Sequence, residues 1–273
     1  MIPILHWEDI MAGSKITSGN TKPKYEACVK PQEITDKFKI MMRKALKAQK
    51  MVLLKRADDL LVWEDLEQDD FHKVFNFKGN EVIKIRKNGE DTGKRMQARM
   101  VMIDGVRRIM KIANGLTMDS FKNYTGCGKF AAFVEPQLDP PYIVNIGKNF
   151  ESRDGKENAI TGADSHVSTL CHEMSHIFWY WGNHDDGGMW TQDYTAIDKF
   201  SEGDGDEVSY AKHFSVANEL VKLHKDQLFE NAYNIERYFQ VKLSDVDIDS
   251  ADENKLSDEV NNKISELGKK TEI

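Results

Sequence analysis

The pattern of apolar and polar positions predicts a long amphipathic helix in the first quarter of the chain. From about Thr35 to Trp63, apolar residues recur every three or four positions, as on one face of a helix. These residues are Phe38, Met41, Ala45, Ala48 and Val52. The opposite face is rich in lysine. A basic amphipathic helix can bind membranes or partners, but this pattern is more typical of a packing helix with one exposed face.

A second helix is predicted from about Asp91 to Ala113, where Asn114 and Gly115 form a stop signal. The residues predicted to face inward are Met96, Met100, Ile103, Val106 and Met110. Residues 71–77, between the two helices, form a short aromatic segment.

The pattern changes to short β-rich segments after Cys127. Residues 129–135 and 142–146 are separated by prolines, which predicts an antiparallel hairpin at the edge of a sheet. A polar loop then leads to Asp164 or Ser165, and either residue could cap the following helix.

The rest of the chain predicts further helices and a polar end. A loop over 182–205 precedes a helix at about 206–226, and a shorter helix covers 228–239. The last part is rich in acidic residues and predicts at most a weak helix near 256–267, so we expect it to be mobile.

These patterns predict an α+β protein that is mostly helical with a small antiparallel sheet. Four parts are expected: an irregular lead-in at 1–33, an N-terminal helical region at 34–126, a region at 127–240 that carries the chemistry, and an acidic mobile tail at 241–273.

Composition excludes several kinds of protein. A chain of 273 residues with 40% hydrophobic content can bury a core, and its net charge of -7 argues against nucleic acid as the main partner. No apolar run approaches the roughly 20 residues that a membrane span needs. The opening contains Glu8 and Asp9 and no basic stretch, so it differs from an ordinary secretory signal, and we expect synthesis in the cytoplasm.

The candidate chemistry lies in His172, Glu173 and His176, which form the motif H-E-x-x-H. Residues four apart on a helix share a face, so the two imidazoles would provide half of a tetrahedral zinc site. Glu173 could then act as general base towards a zinc-activated water. The motif can also arise by chance on a helix surface. Here the surrounding apolar residues predict a buried helix, where unpaired histidines would be costly, and this favours zinc.

A catalytic zinc site needs a third protein ligand. The metzincin pattern requires glycine three residues and histidine six residues after the second histidine, but Trp179 and Gly182 stand there. A gluzincin-like E-x-x-x-D exists at residues 202–206, but two glycines inside it disfavour the helix that it needs. An aspartate further along the chain remains.

The motif and its surroundings resemble the aspzincins, which are deuterolysin-like zinc metalloendopeptidases with H-E-x-x-H followed by G-T-x-D-x-x-Y-G. Residues 203–206 read G-D-G-D, and Tyr210 follows one position late. Residues 132–136 resemble the family's AYVYP segment, and residues 231–239 resemble its NADNYEYF helix. The resemblance covers roughly 127–240 and makes this the zinc peptidase region.

The family pattern leaves three candidates for the third zinc ligand. Asp206 is favoured, because a loop tolerates an insertion whereas one between the aspartate and Tyr210 would break their shared helix. Asp185 keeps the usual spacing from His176 but lacks a following tyrosine, and Asp193 is the third option. The resemblance implies that Tyr210 stabilises the oxyanion together with zinc.

Two further differences from the family pattern each lead to a prediction. Gly147 stands where a family cysteine is expected, so Cys127 would lack its disulfide partner, as suits a protein kept reduced before export. Tyr233 replaces the aspartate that selects lysine in lysine-specific aspzincins, so we expect cleavage without a lysine requirement unless Glu230 or Glu236 substitutes.

The resemblance implies a protein or peptide substrate and, for relatives without a signal peptide, a secreted effector or toxin role. Its partners would then include a secretion-machine carrier and an immunity protein. Two other classes stay open, namely a zinc amidase acting on cell-wall peptides and a binding module with a decayed site.

Overall fold

The computed structural model describes residues 30–87, 89–134, 142–153, 155–177, 187–200 and 209–271. The predicted lead-in at 1–33 therefore lies almost entirely outside the described residues. The first helix, α1 (Asp36–Val62), confirms the prediction made from apolar spacing. The Thr35 hydroxyl caps it by accepting the Phe38 amide, and the helix ends where Trp63 adopts a left-handed conformation.

The aromatic segment that follows is part of a helix, α2 (Asp65–Phe75), which the sequence pattern missed. Phe71 and Phe75 lie four residues apart, so both face the core, where their rings pack against Tyr238 and Phe229.

The predicted start of the second long helix was wrong. Strands β1 (Val82–Lys87) and β2 (Glu90–Gln97) pair in an antiparallel hairpin, and helix α3 (Ala98–Gly115) begins only after it. The turn needs Gly89, whose φ of 79° is unfavourable for other residues. Met96 thus lies on a strand and is exposed to solvent, whereas Met102, Ile103, Val106 and Met110 of α3 are buried.

A three-stranded sheet follows, after a 3-10 turn at Met118–Ser120. Its strands are β3 (Phe121–Tyr124), β4 (Ala132–Val134) and β5 (Val144–Gly147), in the order β3–β5–β4. The antiparallel pairing of β4 with β5 confirms the predicted hairpin, but β3 adds a parallel strand on the other side of β5. The protein is therefore α+β and mostly helical, with small sheets.

Short elements lead to and from the central helix, α5 (His166–His176). They are the helical turn α4 (Lys148–Glu151), the strands β6 (Ser152–Arg153) and β7 (Lys156–Glu157), and the strands β8 (Tyr194–Ala196) and β9 (Lys199–Phe200). The region predicted as one long loop at 182–205 thus contains the β8–β9 hairpin within its described part.

The helix predicted from residue 206 is α6 (Tyr210–Lys222). It begins at Tyr210, because Ser209 has the extended conformation of an N-cap. The next predicted helix divides into a 3-10 turn at Asp226–Phe229 and helix α7 (Ala232–Tyr238).

The weak helix predicted near 256–267 is part of a longer helix that packs on the core. Helices α8 (Asp245–Ser250) and α9 (Glu253–Thr271) occupy the predicted tail, and α9 packs against α1 and α3. Leu256, Val260 and Leu267 of α9 are buried even though most of its residues are polar. A narrow apolar stripe is enough to fix a helix on a core.

One hydrophobic core includes residues from all nine of these helices. Helix α5 lies within it and contacts α1, α3, α7 and β4. Among the described helices, none is long and apolar enough to cross a membrane.

Candidate metal centre

Helix α5 carries the H-E-x-x-H motif and is buried almost throughout. The Ser165 hydroxyl accepts the Ser168 amide, so Ser165 is the cap, one of the two residues predicted. The other, Asp164, has a left-handed conformation with φ of 47°, and its carboxylate accepts a hydrogen bond from the Tyr210 hydroxyl. Ser165 therefore fixes the start of α5 while Asp164 connects it to α6.

The rings of His172 and His176 face the same space, as their spacing predicts. Their centroids lie 4.8 Å apart with planes inclined at 79°, and both side chains are buried. The Asp193 carboxylate completes the group: its Oδ1 lies 3.4 Å from His172 Nε2 and 3.6 Å from His176 Nε2. The three side chains therefore form a group that could hold a metal ion.

The other ring nitrogen of each histidine, Nδ1, also contacts a polar group. His172 Nδ1 lies 3.2 Å from the Glu236 carboxylate, and His176 Nδ1 donates to the Thr191 carbonyl oxygen at 2.9 Å. A carbonyl oxygen can only accept, so Nδ1 of His176 carries the proton and, in the neutral ring, Nε2 keeps its lone pair. Such contacts orient metal-binding histidines and increase their basicity.

Three polar atoms of these side chains are buried without a hydrogen bond in the described structure. Glu173 Oε2, His176 Nε2 and Asp193 Oδ1 are buried and have no hydrogen-bond partner within the described residues. Buried polar atoms are normally satisfied, because an unsatisfied one costs about 1–3 kcal/mol. A cation in this group would satisfy His176 Nε2 and Asp193 Oδ1 together, so the residues present fit a metal ion.

The segment 187–193 brings Asp193 to α5. Gly188 passes so close to the end of α5 that a Cβ there would lie 1.9 Å from the Met174 carbonyl oxygen, so only glycine fits. The amides of Met189 and Thr191 both donate to the Ser175 carbonyl oxygen. Backbone bonds therefore position the carboxylate against the histidines.

The charges at this site depend on one another. Burial lowers the pKa of His172, but Asp193 and Glu236 more than offset this and raise it well above its ordinary value. Burial also raises the pKa of Asp193, yet the nearby histidines outweigh it and hold the pKa below its usual range. Without a metal, His172 and Asp193 thus form an ion pair, and a metal ion would replace the proton on His172.

Glu173 is placed beside the three ligand atoms. Burial raises its pKa to about 7, while the charge of His172 and a hydrogen bond from the Val134 amide act in the opposite direction. A carboxyl group with this pKa can both accept and release a proton near neutral pH. A divalent cation in the site would lower the pKa again.

Aromatic residues form one wall of the site. Tyr233 on α7 presents its ring edge-on to His172 with centroids 4.7 Å apart, and it stacks on His213 of α6 at 4.9 Å. His213 Nδ1 donates to the Tyr194 carbonyl oxygen at 3.0 Å. Tyr210 lies further out, with its ring 5.7 Å from that of Tyr233. Its role at the oxyanion therefore stays a prediction.

The predicted ligands Asp206 and Asp185 both lie outside the described residues. The preference for Asp206 rested on a helix shared with Tyr210, and that argument was wrong because α6 begins at Tyr210. Asp193, the third option, is the aspartate that the described structure brings to His172 and His176.

Several site residues had no signal in the sequence. The sequence predicts a role for Glu236 only in substrate binding, and it predicts no role for the Thr191 carbonyl or His213. Their contacts join segments that are far apart in sequence, and no local pattern marks them.

The cysteines also differ from expectation. Cys127 is disulfide-bonded, so the prediction that it lacks a partner was wrong. Cys171 is free and buried next to His172, and burial raises the pKa of its thiol to about 12. It therefore stays protonated at neutral pH and does not supply a thiolate.

No model of a known protein family matches the chain, and no curated protein matches it significantly.

Proposed function

We propose that the protein is a zinc-dependent endopeptidase with a zincin-like fold. One observation carries the proposal: His172, His176 and Asp193 direct three ligand atoms to one point, and Glu173 lies beside it with an unpaired carboxylate oxygen. A decayed site would not need to keep both the ligands and the base, so catalysis is the better interpretation.

The choice of zinc follows from the ligands and their separations. Nitrogen and oxygen ligands lie about 2.0–2.1 Å from a tetrahedral zinc ion, which places them about 3.3 Å from one another. The distances of 3.4 and 3.6 Å from Asp193 Oδ1 to the two Nε2 atoms are close to this value. We therefore propose Asp193 as the third ligand, and the fourth position would be open to water.

Bound zinc would supply Lewis-acid activation of a water molecule for attack on a peptide carbonyl. Glu173 would accept the proton of that water and later deliver it to the leaving amine, as its position beside the two histidines and Asp193 allows. The Val134 amide keeps the Glu173 carboxylate in place during both transfers.

The substrate would bind as an extended strand along β4. Strand β4 lies at the end of the three-stranded sheet, and no described strand pairs with its outer edge. A peptide that adds to a free strand edge gains main-chain hydrogen bonds without dependence on its sequence. Because Val134 also contacts Glu173, such a peptide would pass beside the general base.

Selectivity for lysine after the cleaved bond is not expected. Tyr233, rather than an acid, packs against His172. The two acids that might replace it are engaged elsewhere: Glu236 contacts His172, and Glu230 accepts hydrogen bonds from the Tyr194 hydroxyl and the Gly89 amide. A lysine ammonium there would be desolvated without a counter-charge.

The aspzincin resemblance and the effector role belong to the same proposal. The spacing of Asp193 from His176 differs from the family pattern, so this chain would represent a variant in which the aspartate reaches the metal from a loop. Export by a specialised secretion system, with an immunity protein in the producing cell, remains our proposal for its biological setting.

The test is a comparison of the wild-type protein with Glu173→Gln. We expect about one bound zinc per chain in both proteins by mass spectrometry, and a loss of about 10²–10⁴-fold in casein hydrolysis in the variant. Purified cell wall serves as a second substrate. Release of wall peptides without casein cleavage would identify an amidase instead, and turnover unaffected by the substitution would reject the mechanism.

A further inference from the structure

A cavity of about 670 Å³ is lined in part by Gly188, Met189 and Trp190 of the segment that carries Asp193. Its walls come from the β1–β2 hairpin, helix α3, the 3-10 turn at 226–229 and residues 188–190. This volume is within the usual range for small-molecule sites, about 300–1,000 Å³. Apolar side chains form part of the lining, among them Ile83, Ile85, Val101, Met189 and Phe229.

The charges lining this cavity are unbalanced. Six cationic side chains and three carboxyl groups line it. The carboxyl groups already have partners: Asp104 binds Arg107 and Arg108, Asp226 binds Arg86, and Glu230 accepts from Tyr194 and Gly89. Within the described residues, Lys84, Lys87 and Lys94 form no ion pair. The cavity therefore has more positive charge than its own acids neutralise.

Lys87 is the clearest case of a cation in this cavity that no carboxylate of the described residues neutralises. Its ammonium lies 3.9 Å above the ring of Trp190, and its side chain is half-buried. Burial lowers its pKa, and the neighbouring cations Arg108 and Lys94 lower it further, while no carboxylate acts in the opposite direction. An anion next to Lys87 would remove this cost.

We propose that the cavity is a binding site for a small organic anion. Its phosphate or carboxylate group would pair with Lys87 and Lys94, and its apolar part would lie against Met189 and Trp190. A cation held over an aromatic ring, with apolar surface alongside, is suited to a ligand that combines both features. The site is separate from the metal centre and does not depend on the proposed peptidase activity.

Phenyl phosphate is the probe, titrated into the full-length protein by calorimetry. We expect saturable binding with one site per chain and a Kd of roughly 1 mM or below, which weakens when salt is raised from 50 to 200 mM. Inorganic phosphate should bind at least about five-fold more weakly, because it lacks the apolar part. Equal binding of the two probes would overturn the assignment to an organic anion.

Two substitutions locate the site. Lys87→Gln and Lys94→Gln should each weaken phenyl phosphate binding by about five- to ten-fold, since each removes one ion pair. Lys94 is exposed, so its replacement leaves the fold intact. The matched control is Lys73→Gln, which removes the same charge from an exposed position on α2. Absence of saturable binding up to 10 mM, or equal losses in all three variants, would overturn the proposal.

Discussion

Helix α5 buries ten of its eleven residues, whereas helix α9 buries three of its nineteen. In α5 the buried residues include His172, Glu173 and His176, so each polar atom needs a partner or a ligand. In α9 the buried residues are only Leu256, Val260 and Leu267, and the polar side chains face solvent. Burial of polar groups therefore distinguishes the helix of the candidate metal centre, while a line of apolar groups is typical of a helix that only packs.

Only a few buried side chains fix α9 to the rest of the described structure. Its three buried residues lie on one side and face α1 and α3. Polar contacts at the margins add to this: Lys263 pairs with Asp58 of α1, and Asn114 of α3 donates to Asn261. Exposed pairs of this kind contribute little, so the apolar stripe should determine the stability of the whole arrangement.

The largest effect is expected from removing α9 together with α8. Truncation after Leu243 deletes Ile248, Leu256, Val260 and Leu267, whose burial stabilises the fold by roughly 6–12 kcal/mol before the entropy of ordering is subtracted. The net stability of a domain is only about 5–15 kcal/mol. We expect the truncated protein to lose its cooperative thermal transition in calorimetry.

A matched pair of point variants compares the contributions of the buried apolar stripe and of the exposed face of α9 to stability. Val260→Asp places a charge in the core and should lower the free energy of unfolding by several kcal/mol, whereas Asn262→Asp introduces the same residue at an exposed position and should change it by less than about 0.5 kcal/mol. Equal stability of the two variants would show that α9 is not part of the core.

The second effect concerns the proposed metal ligands. Asp193→Ala should weaken zinc binding more than about 100-fold, because a lost ligand costs more than the 10–100-fold typical of residues behind a ligand. Asp206→Ala and Asp185→Ala should leave the affinity within a few-fold of the wild type. Competition with a chelator of known affinity measures all three. A large loss in Asp206→Ala with none in Asp193→Ala would restore the assignment made from the sequence.

The sequence predicted what depends on local spacing. The helical period over residues 35–63 and the four-residue spacing of His172 and His176 both follow from the geometry of one helix. Asp193 reaches the site through backbone bonds between segment 187–193 and Ser175, which no spacing encodes. Helix α9 was predicted only as a weak helix near 256–267, because its apolar residues are few among many charged ones and average composition hides the apolar stripe that packs.

The third effect concerns the pH dependence of folding stability, to which a buried histidine of α5 contributes. His166, its first residue, is buried and stacked on Phe150 with ring centroids 4.5 Å apart. Burial lowers its pKa to about 4, and the Phe150 backbone and Glu151 offset only part of this. In the unfolded chain the pKa is about 6.5. Stability is therefore complete above pH 6.5 and falls as the pH drops towards 4, because only the unfolded chain binds the proton.

His166→Phe keeps a stacked ring but removes the titrating group. The variant should gain up to about 3 kcal/mol relative to the wild type as the pH falls from 7 to 4. Denaturant unfolding at several pH values measures this difference. The control is His72→Phe, at an exposed position on α2, which should leave the pH dependence unchanged. Parallel curves for His166→Phe and the wild type would contradict the assignment.

The smallest of these effects is on zinc affinity and should come from replacing Glu236, which contacts the proposed ligand His172. The Glu236 carboxylate contacts His172 Nδ1 at 3.2 Å, so it fixes the ring with Nε2 towards the proposed metal position and makes that nitrogen more basic. Glu236→Gln can still accept the Nδ1 proton but lacks the charge, and zinc affinity should fall about ten-fold. Glu236→Ala loses both contributions and should approach a 100-fold loss. The control is Glu219→Gln on the exposed side of α6. If Glu236→Gln binds zinc as tightly as the wild type while Glu236→Ala does not, the hydrogen bond orients His172 and the charge is dispensable.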